Sequence, residues 1–387
     1  MNDNKIKLIA VLELLRTEKS LTEIANKYKI LPITLEKWKD SFLSNANIFF
    51  KEDRYKFHYK KVPSTQHILL NTIETLNKKI TEQKFYEIDT GFEQLNEHTG
   101  GFSKGDLIVV ASRPSIGKSS FVLEIARKAI ERDETVLFFS FEMKAQKLMS
   151  RLLSAQTSIP LSSLKSGDLS DSEWDKLSST TDEIADKDLF IDDNAYADID
   201  YIRAKVRTFK NEYPKLSMII LDSLNLINYV KVRENQYEGI SEISKALKQL
   251  AREVDLPIIV TSQLNRNLEN RENKRPKLND LRDSGTIEDY ADLILFLYRD
   301  DVYREAMEKE KEFKAKSEGK EYENKFQNRP EEEAELIIGK HRHGTIGTVK
   351  LIFEKRFLRF IDDNDFFEII YVEDDVTDIG NIELPII

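Results

Sequence analysis

The chain has 387 residues, 40 % of them hydrophobic, and a formal net charge of −10. That length accommodates two domains around a proper core. The absence of cysteine excludes disulfides, thiolate catalysis and cysteine-ligated zinc or iron–sulfur sites, and no apolar run approaches the roughly 18–20 residues that span a bilayer. The first residues lack a secretory pattern and the five histidines are scattered, so the expectation is a cytoplasmic protein with no membrane partner.

Charge is unevenly distributed. Residues 1–61 hold 13 basic and 8 acidic side chains, whereas 362–387 hold nine acids and no Lys or Arg. Residues 5–17 read as a helix with Ile6, Ile9, Leu12 and Leu15 on one side. The segments 21–28 and 33–42, joined by 29–32, resemble the helix-turn-helix that opens transposase-like proteins. Ala25 falls at the helix crossing, and Leu35 and Trp38 pack the second helix. Lys29 stands where such a turn usually has glycine for a positive φ, at a cost of about 1 kcal/mol. Because Lys37 and Lys39 are interleaved with Glu36 and Asp40, the 1–50 head reads either as a DNA-binding module or as a packing module.

Residues 51–85 form a connector. Its first part is polar, and Ser64–Glu82 reads as an isolated amphipathic helix whose apolar side carries Ile68, Leu69, Ile73, Leu76 and Ile80. From residue 86, strand candidates at 107–111, 135–141, 188–192, 217–222, 257–262, 292–298, 334–339 and 348–353 alternate with helical patterns at 119–131, 144–155, 198–211 and 239–253. The fold class expected is α/β, a mainly parallel sheet flanked by helices, with an antiparallel extension at one edge and a small all-α N-terminal domain. The Glu/Lys-dense run 303–333 reads as a solvated helical insertion or loop.

The most informative stretch is Ser112-Arg113-Pro114-Ser115-Ile116-Gly117-Lys118-Ser119-Ser120. It lies between an apolar strand and a helix, the setting of a phosphate-binding loop. Backbone N–H groups face the anion, Lys118 reaches the terminal phosphates and Ser119 can ligate magnesium. Ser112 stands where the common pattern has its first glycine. In an open α/β sheet, ligand groups collect at the carboxyl ends of strands. Those ends supply Glu142, suited to polarising a water, and Asp222, suited to holding Mg2+ through water. They also supply Gln263, suited to sensing a γ-phosphate. Lys340 and Arg342 share one side of an extended segment, as a joint phosphate contact or as a solvated edge.

Residues 86–361 resemble the motor domain of DnaB-type replicative helicases, a RecA-like hexameric ATPase family. The resemblance is carried by Ala111–Phe121, Phe139-Ser-Phe-Glu-Met, Ile219-Ile-Leu-Asp-Ser-Leu, Ser262-Gln-Leu-Asn-Arg, Asp280-Leu-Arg-Asp-Ser-Gly and Ile337-Ile-Gly-Lys-His-Arg-His-Gly. The family's loop also lacks the first glycine. The resemblance implies an ATP- and Mg2+-dependent DNA helicase that moves 5′ to 3′ on single-stranded and forked DNA. It makes Glu142 the general base, Ser119 and Asp222 the metal ligands, Gln263 the phosphate sensor, and Arg342 with Lys340 an arginine finger acting across subunits. Arg282, Asp283 and Gly285 match a DNA-facing loop, to which 230–238 contributes; a salt bridge from Arg282 to Asp283 or Asp280 is the plainer alternative.

The 64–82 helix matches one that docks on a neighbouring copy, so a homo-oligomer is expected, with a helicase loader, primase or initiator as further partners. The short head departs from the family and points to a phage- or mobile-element-encoded helicase. The acidic tail, 362–387, reads as a docking segment, a mask over the DNA channel, or a solvated extension with one edge strand. Two other functions use the same nucleotide residues: a recombinase or clamp ATPase, and an ATP-switched origin-binding initiator.

Overall fold

The computed structural model describes residues 3–17, 19–50, 64–81, 86–228, 236–281, 284–319 and 321–363. The chain divides into two units, Met1–Thr81 and Glu82–Ile387. Most of the polar connector, residues 51–63, and nearly all of the acidic tail, residues 364–387, lie outside the described residues.

In the first unit, α1 (Asp3–Arg16), α2 (Leu21–Tyr28) and α3 (Pro32–Phe50) enclose a small core of Ala10, Val11, Ile24, Ala25 and Leu35, with Leu14 and Trp38 packed against it. A capping box starts α2: the Ser20 hydroxyl accepts from the Glu23 N–H while the Glu23 carboxylate accepts from the Ser20 N–H. The helix ends on Lys29 at φ 53°, so a lysine adopts the left-handed turn that glycine would take without strain. The packed side of α1 differs from the expected one. Ile9 and Leu15 are 37 % and 43 % exposed, while Ala10 and Val11 are buried. A series spaced every three residues drifts around a 3.6-residue helix, and the core takes the 10, 11, 14 side instead. Helix α4 (Thr65–Thr81) leaves Ile68, Leu69, Leu70, Ile73, Leu76 and Ile80 each more than half exposed.

The second unit opens with α5 (Glu93–Thr99) and then builds a nine-stranded sheet. Its elements are β1 (Leu107–Ser112), α6 (Lys118–Glu131), β2 (Thr135–Ser140), α7 (Ala145–Thr157), α8 (Leu161–Ser166), α9 (Asp171–Ala185), β3 (Leu189–Asp192), α10 (Ile199–Glu212) and β4 (Leu216–Asp222). They continue with α11 (Gln236–Val254), β5 (Ile258–Gln263), α12 (Ser284–Tyr290), β6 (Leu293–Tyr298), α13 (Asp300–Ser317), β7 (Glu331–His341), β8 (Gly347–Glu354) and β9 (Arg359–Asp362). Strand order is β3-β2-β4-β5-β1-β6-β7-β8-β9, parallel from β3 to β6 and antiparallel from β6 to β9.

Period-two alternation divides the central strands between two cores. Ile108, Val110, Val136, Phe138 and Ile220 face Phe121, Ile125 and Leu148 of α6 and α7. Leu107, Val109, Leu137, Phe139 and Leu221 face Ile202 and Val206 of α10 and Leu247 of α11. Both faces are therefore covered, and the strand ends that meet α6 are where a ligand can approach. The Glu/Lys run becomes α13, braced by Glu305–Lys309 and Glu312–Lys316 pairs four residues apart, before β7 begins at Glu331. Among the described residues no helix is long and apolar enough to cross a membrane.

Candidate nucleotide-binding site

The loop between β1 and α6 forms one wall of a cleft of about 560 Å³. Arg113, Pro114, Ser115, Gly117, Lys118, Ser119 and Ser120 line it, together with Glu142 beyond β2 and Gln263 at the end of β5. Neither Ser112 nor Ile116 lines it with a side chain. Ser112 ends strand β1, fully buried, with its hydroxyl donating to the Arg113 carbonyl at 2.8 Å, and Ile116 packs into the core. Because position 112 keeps strand conformation, no glycine is needed there. Gly117 caps α6 at φ 112°, and the first N–H groups of that helix open toward the loop.

The charges converge on the same cleft. Burial holds the Lys118 ammonium below the usual lysine range; Asp222 and Glu142 pull it upward and Arg113 pushes it down. A bound polyphosphate would supply the counter-charge that burial withholds. Asp222, at the carboxyl end of β4, is fully buried. Its Oδ1 accepts from the Thr261 hydroxyl at 2.5 Å, and its Oδ2 has no hydrogen-bond partner. A buried carboxylate oxygen with nothing to accept fits a hydrated Mg2+, with Ser119 as the hydroxyl ligand. Glu142 is exposed at the rim. The turn that carries it is fixed by the Ser140 hydroxyl donating to the Met143 carbonyl at 2.6 Å and by the Phe141 N–H donating to the Asp222 carbonyl at 2.8 Å. The Gln263 N–H donates to Asn225 Oδ1 at 3.3 Å.

Arg113 is anchored away from the loop, with Nε on Glu269 Oε1 and Nη1 on the Leu264 carbonyl, each at 2.8 Å. Lys340 and Arg342 lie elsewhere, at the end of β7. The Lys340 ammonium donates to the Glu288 carbonyl. Arg342 donates to Asp292 Oδ1 at 2.8 Å and to the Asp289 carbonyl at 3.1 Å, with 42 % of its side chain exposed. Neither lines the cleft of its own chain. Arg282 and Asp283 lie outside the described residues, as do 229–235 of the second proposed DNA loop; Gly285 falls within α12. The alternative partner of Arg282, Asp280, is engaged by Arg271 at 2.7 Å.

Sequence reasoning missed Arg151, Arg299, Phe353, Lys355 and Leu358, which also line the cleft. Arg151 sits mid-helix in α7 with no local signal. Arg299 directly follows an apolar strand, so the rule that drew attention to Asp222 would have found it.

The family model for the DnaB-like helicase C-terminal domain matches residues 87–362. The chain belongs to the DnaB-like helicase family. It is 42 % identical over 288 residues to the replicative DNA helicase DnaB of Helicobacter pylori strain 26695, covering 71 % of this chain and 59 % of that one. It is 38 % identical to the Geobacillus stearothermophilus DnaB over 84 % of this chain and 67 % of the relative. The chain thus spans about three-fifths of the length of the H. pylori relative. Among solved structures, an isolated ATPase domain superposes with a TM-score of 0.68 at 32 % identity, over 77 % of this chain and 98 % of that domain. A DnaB-like replicative helicase whose structure describes its interactions with primase superposes with a TM-score of 0.65 at 30 % identity, over 92 % and 76 %. The RecA-like sheet flanked by helices is therefore the DnaB-like motor fold, as its motifs imply.

Proposed function

We propose that this chain is an ATP- and Mg2+-dependent replicative DNA helicase of the cytoplasm that works as a ring of about six copies on single-stranded and forked DNA, moving 5′ to 3′. The observation that carries the reading is the convergence of Lys118, Ser119 and Glu142 on one cleft, with the buried Asp222, one carboxylate oxygen unpartnered, near enough to act on the Lys118 charge. Lys118 and the loop amides hold the phosphates, Ser119 and Asp222 hold the metal, and Mg2+ when bound neutralises developing charge on the phosphoryl oxygens. Glu142 takes the proton of the attacking water, and Gln263 reports the state of the terminal phosphate. The exposed position of Arg342, off its own cleft, suits a finger that serves the neighbouring copy. The exposed apolar residues of α4 suit docking on that copy. In the Arg282-Asp283-Ser284-Gly285 segment, the Arg282 guanidinium and the backbone N–H groups from Asp283 to Gly285 hold the strand by its phosphates without reading sequence. Primase and a loader are the partners to test.

Unwinding of a forked duplex by purified protein tests the reading. The expected result is ATP- and Mg2+-dependent unwinding that Glu142→Gln abolishes. Strand exchange without unwinding would instead favour a recombinase.

A further inference from the structure

Arg299 is buried at the end of β6, and its guanidinium reaches back to the phosphate-binding loop. Nη1 donates to the Ile116 carbonyl at 2.9 Å and, at longer reach, to the Ser115 carbonyl at 3.4 Å. Nε and Nη2 both engage Oε2 of Glu332, a buried carboxylate on β7, with Nε at 2.8 Å. The guanidinium carbon stands 3.9 Å from the centre of the Phe353 ring on β8. The other oxygen of Glu332 pairs with the Lys355 ammonium at 2.5 Å, and Lys355 also donates to Asn328 at 2.7 Å.

In a trans peptide the C=O and N–H point in opposite directions. The Ser115 carbonyl shares a peptide unit with the Ile116 N–H, and the Ile116 carbonyl shares one with the Gly117 N–H. Drawing both carbonyls toward Arg299 therefore turns those two N–H groups the other way. Ser115 does not settle there unaided, since its φ of 67° is a conformation that L-residues rarely adopt, whereas Gly117 takes its φ of 112° freely. A planar donor fork fixed by a carboxylate and an aromatic face is suited to hold them.

We propose that Arg299, itself fixed by Glu332, is a positioning residue that aims the Ile116 and Gly117 amides at the phosphates of a bound nucleotide. The inference rests on the nucleotide reading of the cleft and deepens it: the antiparallel extension of the sheet braces the loop. The test is Mg-ADP binding by calorimetry on the full chain, with unfolding midpoints measured without nucleotide.

Arg299→Ala is expected to raise the Mg-ADP Kd about tenfold, the scale of one weakened charge-assisted hydrogen bond. Glu332→Gln, which preserves volume, is expected to raise it less, and Arg299→Lys to recover part of the loss. In steady-state hydrolysis the KM for ATP is expected to rise more than kcat falls. A lower unfolding midpoint with unchanged Kd in Arg299→Ala would overturn the proposal as a merely structural role. If that variant does not fold, an unchanged Kd in Glu332→Gln would overturn it equally. Wild-type protein that binds no Mg-ADP would overturn the nucleotide reading itself, a distinguishable failure.

Discussion

Replacing Gly117 with alanine places a methyl group at a point where both backbone and packing resist it. The φ of 112° lies well outside the left-handed basin, and holding an L-residue there costs about 1–3 kcal/mol. The added Cβ would stand 3.0 and 3.1 Å from ring carbons of Phe360. That ring cannot easily yield. It is fully buried, edge-on to Phe121 at 5.8 Å and tilted against Phe353 at 4.6 Å between centroids. Overpacking of this kind adds about 1–3 kcal/mol, giving a total of about 2–6 kcal/mol. Gly167→Ala is the control: φ is 75° and nothing lies within 4 Å of the new methyl, so only about 1 kcal/mol of backbone strain is expected. Guanidinium unfolding followed by far-ultraviolet dichroism compares the two, and Mg-ADP titration reports the loop, because Lys118 and Ser119 follow directly. Equal destabilisation by the two substitutions, with nucleotide affinity intact in Gly117→Ala, would refute the reasoning.

Three further outcomes are expected. Glu142→Gln should lower the hydrolysis rate by about 10²–10⁴-fold while Mg-ADP binding stays near wild type, as rapid-quench and calorimetric measurements would establish. Asp222→Asn replaces an acceptor with an amide, so the magnesium enhancement of nucleotide affinity should fall about 10–100-fold in a titration with and without Mg2+. In the first unit, hydrogen bonds from Lys27 and Tyr28 hold the Glu13 carboxyl down at about 2, from an ordinary 4.5. Its contribution is fully present above pH 4.5 and is lost as pH falls toward 2. Trp38 fluorescence in a Trp174→Phe background should register that loss, and Glu13→Gln should flatten the dependence across this window.

The parallel heart of the sheet was legible because its strands are buried on both faces. β1, β2 and β6 therefore read as unbroken apolar runs, in which helix and strand periods do not compete. Segments whose polar residues hide a buried role were not legible. The four-residue β9 begins at Arg359 and ends at Asp362, a residue counted with the tail, whose carboxylate accepts from the Glu93 N–H at 3.1 Å. The first residues of β7 are three glutamates, yet Glu332 is buried between Arg299 and Lys355. Helix α9 fully buries only Thr180 and half-buries Leu177 and Ile184 beside it, a thin apolar side, although its Ser170–Glu173 capping box is a readable start signal. Within the site, the acids and Gln263 announced themselves by following apolar strands. Arg151 gave no such sign, because it reaches the cleft through the packing of α7 rather than through its sequence neighbours.

The central claim is that ATP is split in a cleft completed by Arg342 of an adjacent copy. The direct measurement is DNA-stimulated ATPase in equimolar mixtures of Arg342→Ala and Lys118→Ala chains, each expected to be inactive alone. Random assembly in a head-to-tail ring pairs an intact loop with an intact finger at about a quarter of the interfaces, and activity should recover on that scale. Mixtures no more active than either variant would contradict the account.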